Sequence, residues 1–437
     1  MNECAAITRR CLAAIAAPEG EGARTFTQVY GASALVEAAA ADQRRLRNSG
    51  LSPVDGVVVA VKDLFDVCGQ TTWAGSIALR DMPPAMADAP AVSRLRSGGC
   101  VIIGKTNMTE FAYSGIGLNP HFGTPANPHA RSVLPTIPGG SSSGAAVAVA
   151  DGMAQIALGT DTGGSVRIPA ALCGLVGWKP TARRISLEGV WPLAPSFDSV
   201  GVIAPCVRLC ADADAVLTGV TPIVADIPVA RLRLGRLRGY VESELELEVS
   251  GAYERALDRL KDAGVEILDV SVPDLEHVLH EQPGVIMTTY EAFRTHSALL
   301  DQFSDLYDPR VRKRLELGRN ITTDRYAAAA LSRGHIQQAA TQALRGLDAW
   351  VLPTVSKLAP PFQAVESDAD YLIINRALLR NTSLLNFLDG CAITLPCQDR
   401  TESPVGLSIA GLGVIDAHVL AIAQSLETIV TGSVSPT

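Results

Sequence analysis

Short apolar runs recur along the chain and predict the strands of a buried sheet. Such runs are typical of strands that are covered on both faces. The predicted strands are Val57–Val61, Val101–Ile103, Ile156–Leu158, Val265–Val270, Trp350–Leu352, Ala392–Leu395 and Leu407–Ile409.

Between these runs, apolar residues return at helical spacing. The predicted helices are Ala91–Leu95, Ser243–Lys261, Ala327–Leu344 and Ala417–Val430. We also expect an amphipathic helix at the start of the chain, where Arg9 and Arg10 precede a short apolar stretch; a signal peptide is the alternative interpretation. This mixture predicts one α/β domain over residues 1–437, with a mixed central sheet covered by helices on both faces.

Composition restricts the partners. Hydrophobic residues make up 47% of the chain and charged residues 19%, so a sizeable core can form. The net charge is −8 and no Lys/Arg run occurs, which excludes nucleic acid as an expected partner. No apolar run approaches membrane-spanning length, so we expect no membrane partner. Nine scattered cysteines without metal-ligand spacing predict free thiols in the cytoplasm and no metal site.

The segment from 120 to 205 carries the candidate chemistry, in two glycine-rich turns at 138–144 and 159–167. In the second turn, Gly163 and Gly164 can adopt backbone angles that point successive N–H groups at one spot. Ser165 ends this turn and leads into 168–176, an expected helix whose N-terminus favours negative charge. We therefore predict a serine nucleophile beside an oxyanion hole formed by the N–H groups of Thr162, Gly163, Gly164 and Ser165.

Other interpretations of the turns are weaker. An ordinary Gly-Gly turn or a phosphate cradle is the alternative for the second turn. Neither turn has the lysine of a P-loop, and the G-x-G-x-x-G pattern that a dinucleotide site requires directly after a strand is absent. The first turn formally matches the G-x-S-x-G nucleophile elbow around Ser142. Two prolines, Pro135 and Pro138, interrupt the strand that this motif requires, so we treat the match as coincidental.

A serine hydroxyl needs a base, and none of the seven histidines stands in a marked setting. Lys62 closes the apolar run 57–61. Its amine is either solvated at the end of a strand or buried and catalytic, since burial lowers the pKa of lysine. The serine-rich turns favour the buried alternative, because hydroxyls can satisfy a buried amine.

At these residues the chain resembles the amidase signature family. The matching motifs are Val61–Asp63, Gly139–Gly144, Gly159–Arg167, Cys173–Thr181, Ser196–Gly201 and Pro404–Leu407. The resemblance covers nearly the whole chain and is densest from 54 to 205. It implies the amidase signature fold, with residues 206–437 completing the sheet and the substrate pocket.

The resemblance also implies the catalytic set. Ser165 becomes the nucleophile, Ser141 a bridging serine after a cis peptide bond, and Lys62 the base. Neutral Lys62 takes the Ser141 proton while Ser141 takes that of Ser165, and water later hydrolyses the acyl-enzyme. No metal and no cofactor is required.

Residues around this set receive supporting roles. Asp161 and Arg167 are expected to form an ion pair that braces the loop; binding of a substrate carboxylate by Arg167 is the alternative. Ser142 and Ser143 are expected to support the turn. Tyr113 and residues 114–116, 353–361 and 381–388 are expected to line the substrate pocket.

Three functions are compared. The first is an amidase that cleaves a small carboxylic amide to acid plus ammonia or amine. The second is the component of an amidotransferase that makes amides on tRNA-bound Glu or Asp with partner chains; the stretch 182–191 departs from such components. The third is a non-catalytic scaffold, which the joint presence of Lys62, Ser141 and Ser165 argues against. A homodimer and a small accessory chain remain open.

Overall fold

The structure is a computed structural model that describes residues 3–129, 131–220 and 227–432. Within these residues one sheet contains eleven strands. They are β1 (Phe26–Val29), β2 (Val58–Lys62), β3 (Val101–Thr106), β4 (Ile156–Thr160), β5 (Val176–Lys179), β6 (Val200–Ala204), β7 (Arg233–Leu237), β8 (Glu266–Val270), β9 (Ala349–Pro353), β10 (Cys391–Pro396) and β11 (Gly406–Gly411).

The sheet is mixed, as predicted. Its strand order is β1-β3-β2-β4-β6-β5-β10-β11-β9-β7-β8. Strand β2 runs parallel to both β3 and β4, and β7 runs parallel to β8 and β9, whereas the strands between β4 and β9 pair antiparallel. Because β2 and β4 are parallel neighbours, their last residues, Lys62 and Thr160, lie beside each other where the two strands end.

Helices flank the sheet. They are α1 (Glu3–Ala16), α2 (Gly22–Thr25), α3 (Gly31–Leu46), α4 (Pro90–Ser97), α5 (Ser143–Ala150), α6 (Arg167–Leu172), α7 (Val207–Thr218), α8 (Leu247–Asp262), α9 (Leu275–His280), α10 (Pro283–Phe303), α11 (Pro309–Glu316), α12 (Thr323–Ala343), α13 (Asp368–Phe387) and α14 (Asp416–Val430). Within the ranges given above, every helix is too short or too polar to traverse a lipid bilayer.

Both faces of β2 are buried, which explains its apolar run. In β2, Val59 and Val61 pack into one hydrophobic cluster, whereas Val58 and Ala60 pack into another. Successive side chains of a strand point to opposite faces, so each face of β2 has its own core.

All seven predicted strands and all four predicted helices are confirmed, as is the N-terminal helix. Helix α8 begins at Leu247 rather than at Ser243. The helix expected over 168–176 is wrong at its end: α6 stops at Leu172, Gly174 takes a positive φ of 71°, and Val176 already belongs to β5.

Candidate active site

Lys62 is the last residue of β2 and is fully buried. Its position in the sheet explains this, because β2 lies between β3 and β4 rather than at an edge. Lys62 Nζ lies 2.7 Å from Ser141 Oγ and 2.9 Å from Thr160 Oγ1, within hydrogen-bond distance of both hydroxyls. The amine is therefore not solvated, and two hydroxyls replace its water.

Burial changes the acid–base chemistry of this amine. It lowers the pKa of Lys62 from 10.5 to about 7, against the opposing charges of Asp161 and Asp198. Neutral pH then leaves a large fraction of the amine uncharged, with a lone pair that can accept a proton.

Ser141 lies in the first glycine-rich turn, and the Gly140–Ser141 peptide bond is cis. The turn is held by its neighbours: the Ser141 carbonyl accepts a hydrogen bond from the Thr109 N–H (3.1 Å), and the Gly140 N–H donates to the Gly115 carbonyl (2.8 Å). A Cβ at position 140 would lie 2.7 Å from the backbone of Gly117, so only glycine fits this close approach.

Ser165 lies in the second turn, which packs directly against the first. Its carbonyl accepts a hydrogen bond from the Ser142 N–H at 3.2 Å, and the Ser142 hydroxyl donates to the Thr160 carbonyl at 3.4 Å. In the part of the chain that the structure describes, no hydrogen bond joins the hydroxyls of Ser141 and Ser165. Such bonds between catalytic groups often tighten only around substrate. The Ser143 hydroxyl, expected to support the turn, has no hydrogen-bond partner among the described residues.

The backbone of the second turn offers fewer donors than expected. The Gly164 N–H donates to Asp161 Oδ1 at 2.8 Å, so this group is already occupied. The N–H groups of Thr162, Gly163 and Ser165 have no acceptor among the described residues. Three of the four expected donors therefore make no hydrogen bond within the described residues.

Asp161 and Arg167 form a fully buried ion pair. Arg167 donates to Asp161 from Nε (3.0 Å) and Nη2 (2.9 Å), and its Nη2 also reaches the Thr382 carbonyl and Asn386 Oδ1. The guanidinium is the largest influence that lowers the pKa of Asp161, against the opposing effect of burial. Arg167 therefore braces the turn, while its Nη1 has no hydrogen-bond partner among the described residues.

Helix α13 closes the back of the turn. The Thr382 hydroxyl donates to the Gly163 carbonyl at 2.6 Å, and Asn386 Nδ2 donates to the Asp161 carbonyl and carboxylate at 3.0 and 2.9 Å. Both residues lie in the range 381–388, which sequence reasoning placed at the pocket, but their contacts with the second turn were not predicted, since they lie more than 200 positions from it and carry no local motif. Sequence reasoning also missed Thr160, although the parallel neighbours β2 and β4 place their ends together.

A cavity of about 410 Å³, including its open mouth, begins at Thr160 and Thr162. Asp198 also borders it. Its walls are apolar, and the side chains that form most of them are Leu64, Ala112, Leu187, Val190, Trp191 and Leu193.

Tyr113 does not line this cavity, although sequence reasoning placed it in the pocket. Its hydroxyl donates to Thr289 Oγ1 at 3.1 Å, and the Arg314 guanidinium stacks on its ring at 4.1 Å. The neighbouring Ser114 hydroxyl donates to Asn375 Oδ1 at 2.9 Å. These contacts give this segment a packing role beside the first turn.

The chain is similar to known proteins over nearly its whole length. The sequence profile of the family described as Amidase matches residues 6–420. A 2-amino-5-chloromuconic acid deaminase from Comamonas testosteroni is 33% identical over 92% of this chain and 87% of that protein. A component of the glutamyl-tRNA(Gln) amidotransferase from Roseiflexus sp. (strain RS-1) is 32% identical over 97% and 92%. A crystal structure of an amidase superposes with a TM-score of 0.87 at 32% identity, covering 98% of this chain and 96% of the other.

Proposed function

We propose that this chain, which belongs to the Amidase family of hydrolases, cleaves the C–N bond of a small linear carboxylic amide through an acyl-enzyme on Ser165. The observation that carries the proposal is the buried amine of Lys62, 2.7 Å from the Ser141 hydroxyl, with its pKa lowered to about 7. An amine in this state is a base matched to neutral pH.

The proposed proton relay begins at the hydrogen bond between Lys62 and Ser141. In its neutral form, Lys62 donates to the Thr160 hydroxyl and presents its lone pair to the Ser141 hydroxyl. Lys62 takes the Ser141 proton as Ser141 takes that of Ser165, so the Ser165 oxygen attacks the amide carbonyl. The proton then returns through the same groups to the leaving nitrogen. Water attacks the acyl-enzyme in the second half of the reaction, and the relay again serves as the base.

The oxyanion hole uses the free N–H groups of Thr162, Gly163 and Ser165. The Gly164 N–H supports the hole indirectly, because its bond to Asp161 fixes the turn. Each donor directed at the developing negative charge lowers the barrier by about 3 kcal/mol. Because Asp161 neutralises the charge of Arg167, the hole relies on backbone dipoles.

A second candidate function is amide formation on an aminoacyl-tRNA with partner chains, which the amidotransferase relatives support through their near-complete coverage of this chain. The two functions differ in what the purified chain does alone. Hydrolysis of free amides without partner proteins or tRNA favours the amidase.

The experiment measures ammonia release from a panel of amides by the purified chain. We expect turnover by the unmodified chain, and loss of turnover by at least about 10³-fold in Ser165→Ala. Ser143→Ala is the matched control, since this neighbouring serine hydroxyl makes no hydrogen bond among the described residues and should be dispensable. Undiminished turnover in Ser165→Ala refutes the assignment of the nucleophile.

A further inference from the structure

The cavity beside Thr160 carries no positive charge. None of the described residues that line it is Lys, Arg or His. The lining residues with hydrogen-bonding side chains are Thr160, Thr162, Asp198 and Trp191. The Trp191 indole N–H has no hydrogen-bond partner among the described residues. A cavity of this composition offers mainly apolar surface to a ligand.

The Asp198 carboxylate is already saturated with hydrogen bonds. It accepts from the Thr162 hydroxyl (2.6 Å), the Leu193 N–H (3.0 Å) and the Ala194 N–H (3.1 Å). It therefore anchors the loop that forms one wall. A second carboxylate brought into the cavity would face this acid without a cation between them.

Two arginine side chains around the site are committed elsewhere. Arg333 donates to the carbonyl groups of Phe387 (2.7 Å), Asn386 (3.0 Å) and Ser196 (3.1 Å), and Arg167 is paired within the second turn. Neither guanidinium lines the cavity.

The histidine behind the wall is also uncharged. His296 packs edge-on against Phe111, with ring centroids 4.4 Å apart, and lies beside Trp191 of the wall. Its burial lowers the pKa of the imidazole to about 3. At neutral pH this side of the cavity is therefore aromatic and neutral.

We propose that the cavity receives the acyl side of the substrate and selects amides whose acyl group is small, apolar and uncharged, rejecting those with a carboxylate at its far end. The proposal rests on the proposed function above. A carboxylate entering the cavity would lose its water and meet no cation among the described lining residues, whereas an alkyl or aryl group would gain burial against the walls. The 410 Å³ include open solvent at the mouth, so the enclosed space is smaller, which favours a compact acyl group.

The test compares two amides of equal chain length, hexanamide and the monoamide of adipic acid, which differ in whether the chain ends in a methyl group or a carboxylate. We expect kcat/KM for hexanamide to exceed that for the acidic amide by at least about 100-fold. Equal values, or a preference for the acidic amide, overturn the proposal.

A cation placed in the wall should weaken this selectivity. Leu187 is half-buried and lines the cavity, so Leu187→Arg should raise kcat/KM for the acidic amide at least about tenfold relative to Leu187→Met, which keeps the wall neutral. No difference between the two variants contradicts the placement of the acyl group.

Binding measurements test the selectivity of the cavity independently of the proposed hydrolysis. Saturation-transfer NMR on the Ser165→Ala variant measures the affinity of both amides without requiring turnover. Tighter binding of hexanamide supports the selectivity even if neither amide is hydrolysed by the unmodified chain, in which case the proposed function fails. Tighter binding of the acidic amide overturns the selectivity whatever the turnover.

Discussion

Replacing Lys62 with methionine should stabilise the protein while abolishing its base. The amine is fully buried without a carboxylate in hydrogen-bond contact, and its pKa falls from 10.5 to about 7. This difference corresponds to about 5 kcal/mol of unfavourable burial at ~1.36 kcal/mol for each pH unit. Methionine removes that cost but leaves the Ser141 and Thr160 hydroxyls without their partner, at about 1 kcal/mol each. The free energy of unfolding should therefore rise by about 3 kcal/mol at pH 6.

The stability gained by Lys62→Met should depend on pH in a defined direction. Below pH 7 Lys62 is protonated in both the folded and the unfolded chain. The full free-energy cost of burying its charged amine therefore applies and does not change with pH. Between pH 7 and 10.5 the unfolded chain binds the extra proton, and the stability of the unmodified protein rises with pH. The advantage of Lys62→Met should shrink over this range and vanish at about pH 9, where the falling cost of the amine equals that of the two unpaired hydroxyls.

Urea unfolding at pH 6, 8 and 9.5, followed by tryptophan fluorescence, measures this difference. Lys105→Met is the matched control, because this equally buried lysine lies 2.9 Å from Asp63 and its loss leaves a buried carboxylate unpaired. We expect that variant to lose about 3–5 kcal/mol. In activity, Lys62→Met should lose about 10²–10⁴-fold in turnover. A Lys62→Met protein that is less stable than the unmodified one at pH 6, by an amount independent of pH, refutes the reasoning.

Three further outcomes are expected. The kcat/KM of the unmodified chain should rise with pH through about 7, as Lys62 loses its proton, and a profile flat from pH 5 to 9 contradicts this. Arg167→Met should lower the free energy of unfolding by about 3–5 kcal/mol, since it strands the buried Asp161, and chemical denaturation measures the loss. Gly164→Ala should abolish turnover, because its Cβ would lie 2.1 Å from the Thr382 hydroxyl oxygen at a φ of +131°, whereas Gly163→Ala meets its nearest neighbour at 3.3 Å and should retain activity; equal losses in ammonia release would contradict this.

The sequence was sufficient for β2, β3, β4, β9, β10 and β11, because these strands are buried and most of their residues are apolar. β7 was missed because its sequence, Arg233–Leu237, contains two arginines and a glycine and has neither an apolar run nor a strict alternation. β5 and β6 lie inside the glycine- and serine-rich segment, where turn residues hide short strands. The composition of a segment indicates the structure of most of its residues. Strands of four and five residues are therefore overlooked within a segment that consists mainly of turns.

At the candidate site, local motifs indicated the turns but not what holds them. The choice between a solvated and a buried Lys62 depends on which strands neighbour β2, and strand order is not a local property of sequence. The partners Thr382 and Asn386 reach the second turn from α13 for the same reason. The expected role of Gly164 was incomplete, since only the structure shows that Asp161 turns back to accept its N–H.

The acyl-enzyme offers the most direct test of the account. Acid quenching during turnover of an amide, followed by proteolysis and mass spectrometry, locates any acyl group that is covalently attached. The account predicts a mass increase equal to the acyl group on the peptide that contains Ser165, and no such increase in Ser165→Ala. An acyl group on another residue, or steady turnover that proceeds with no covalent adduct, would contradict it.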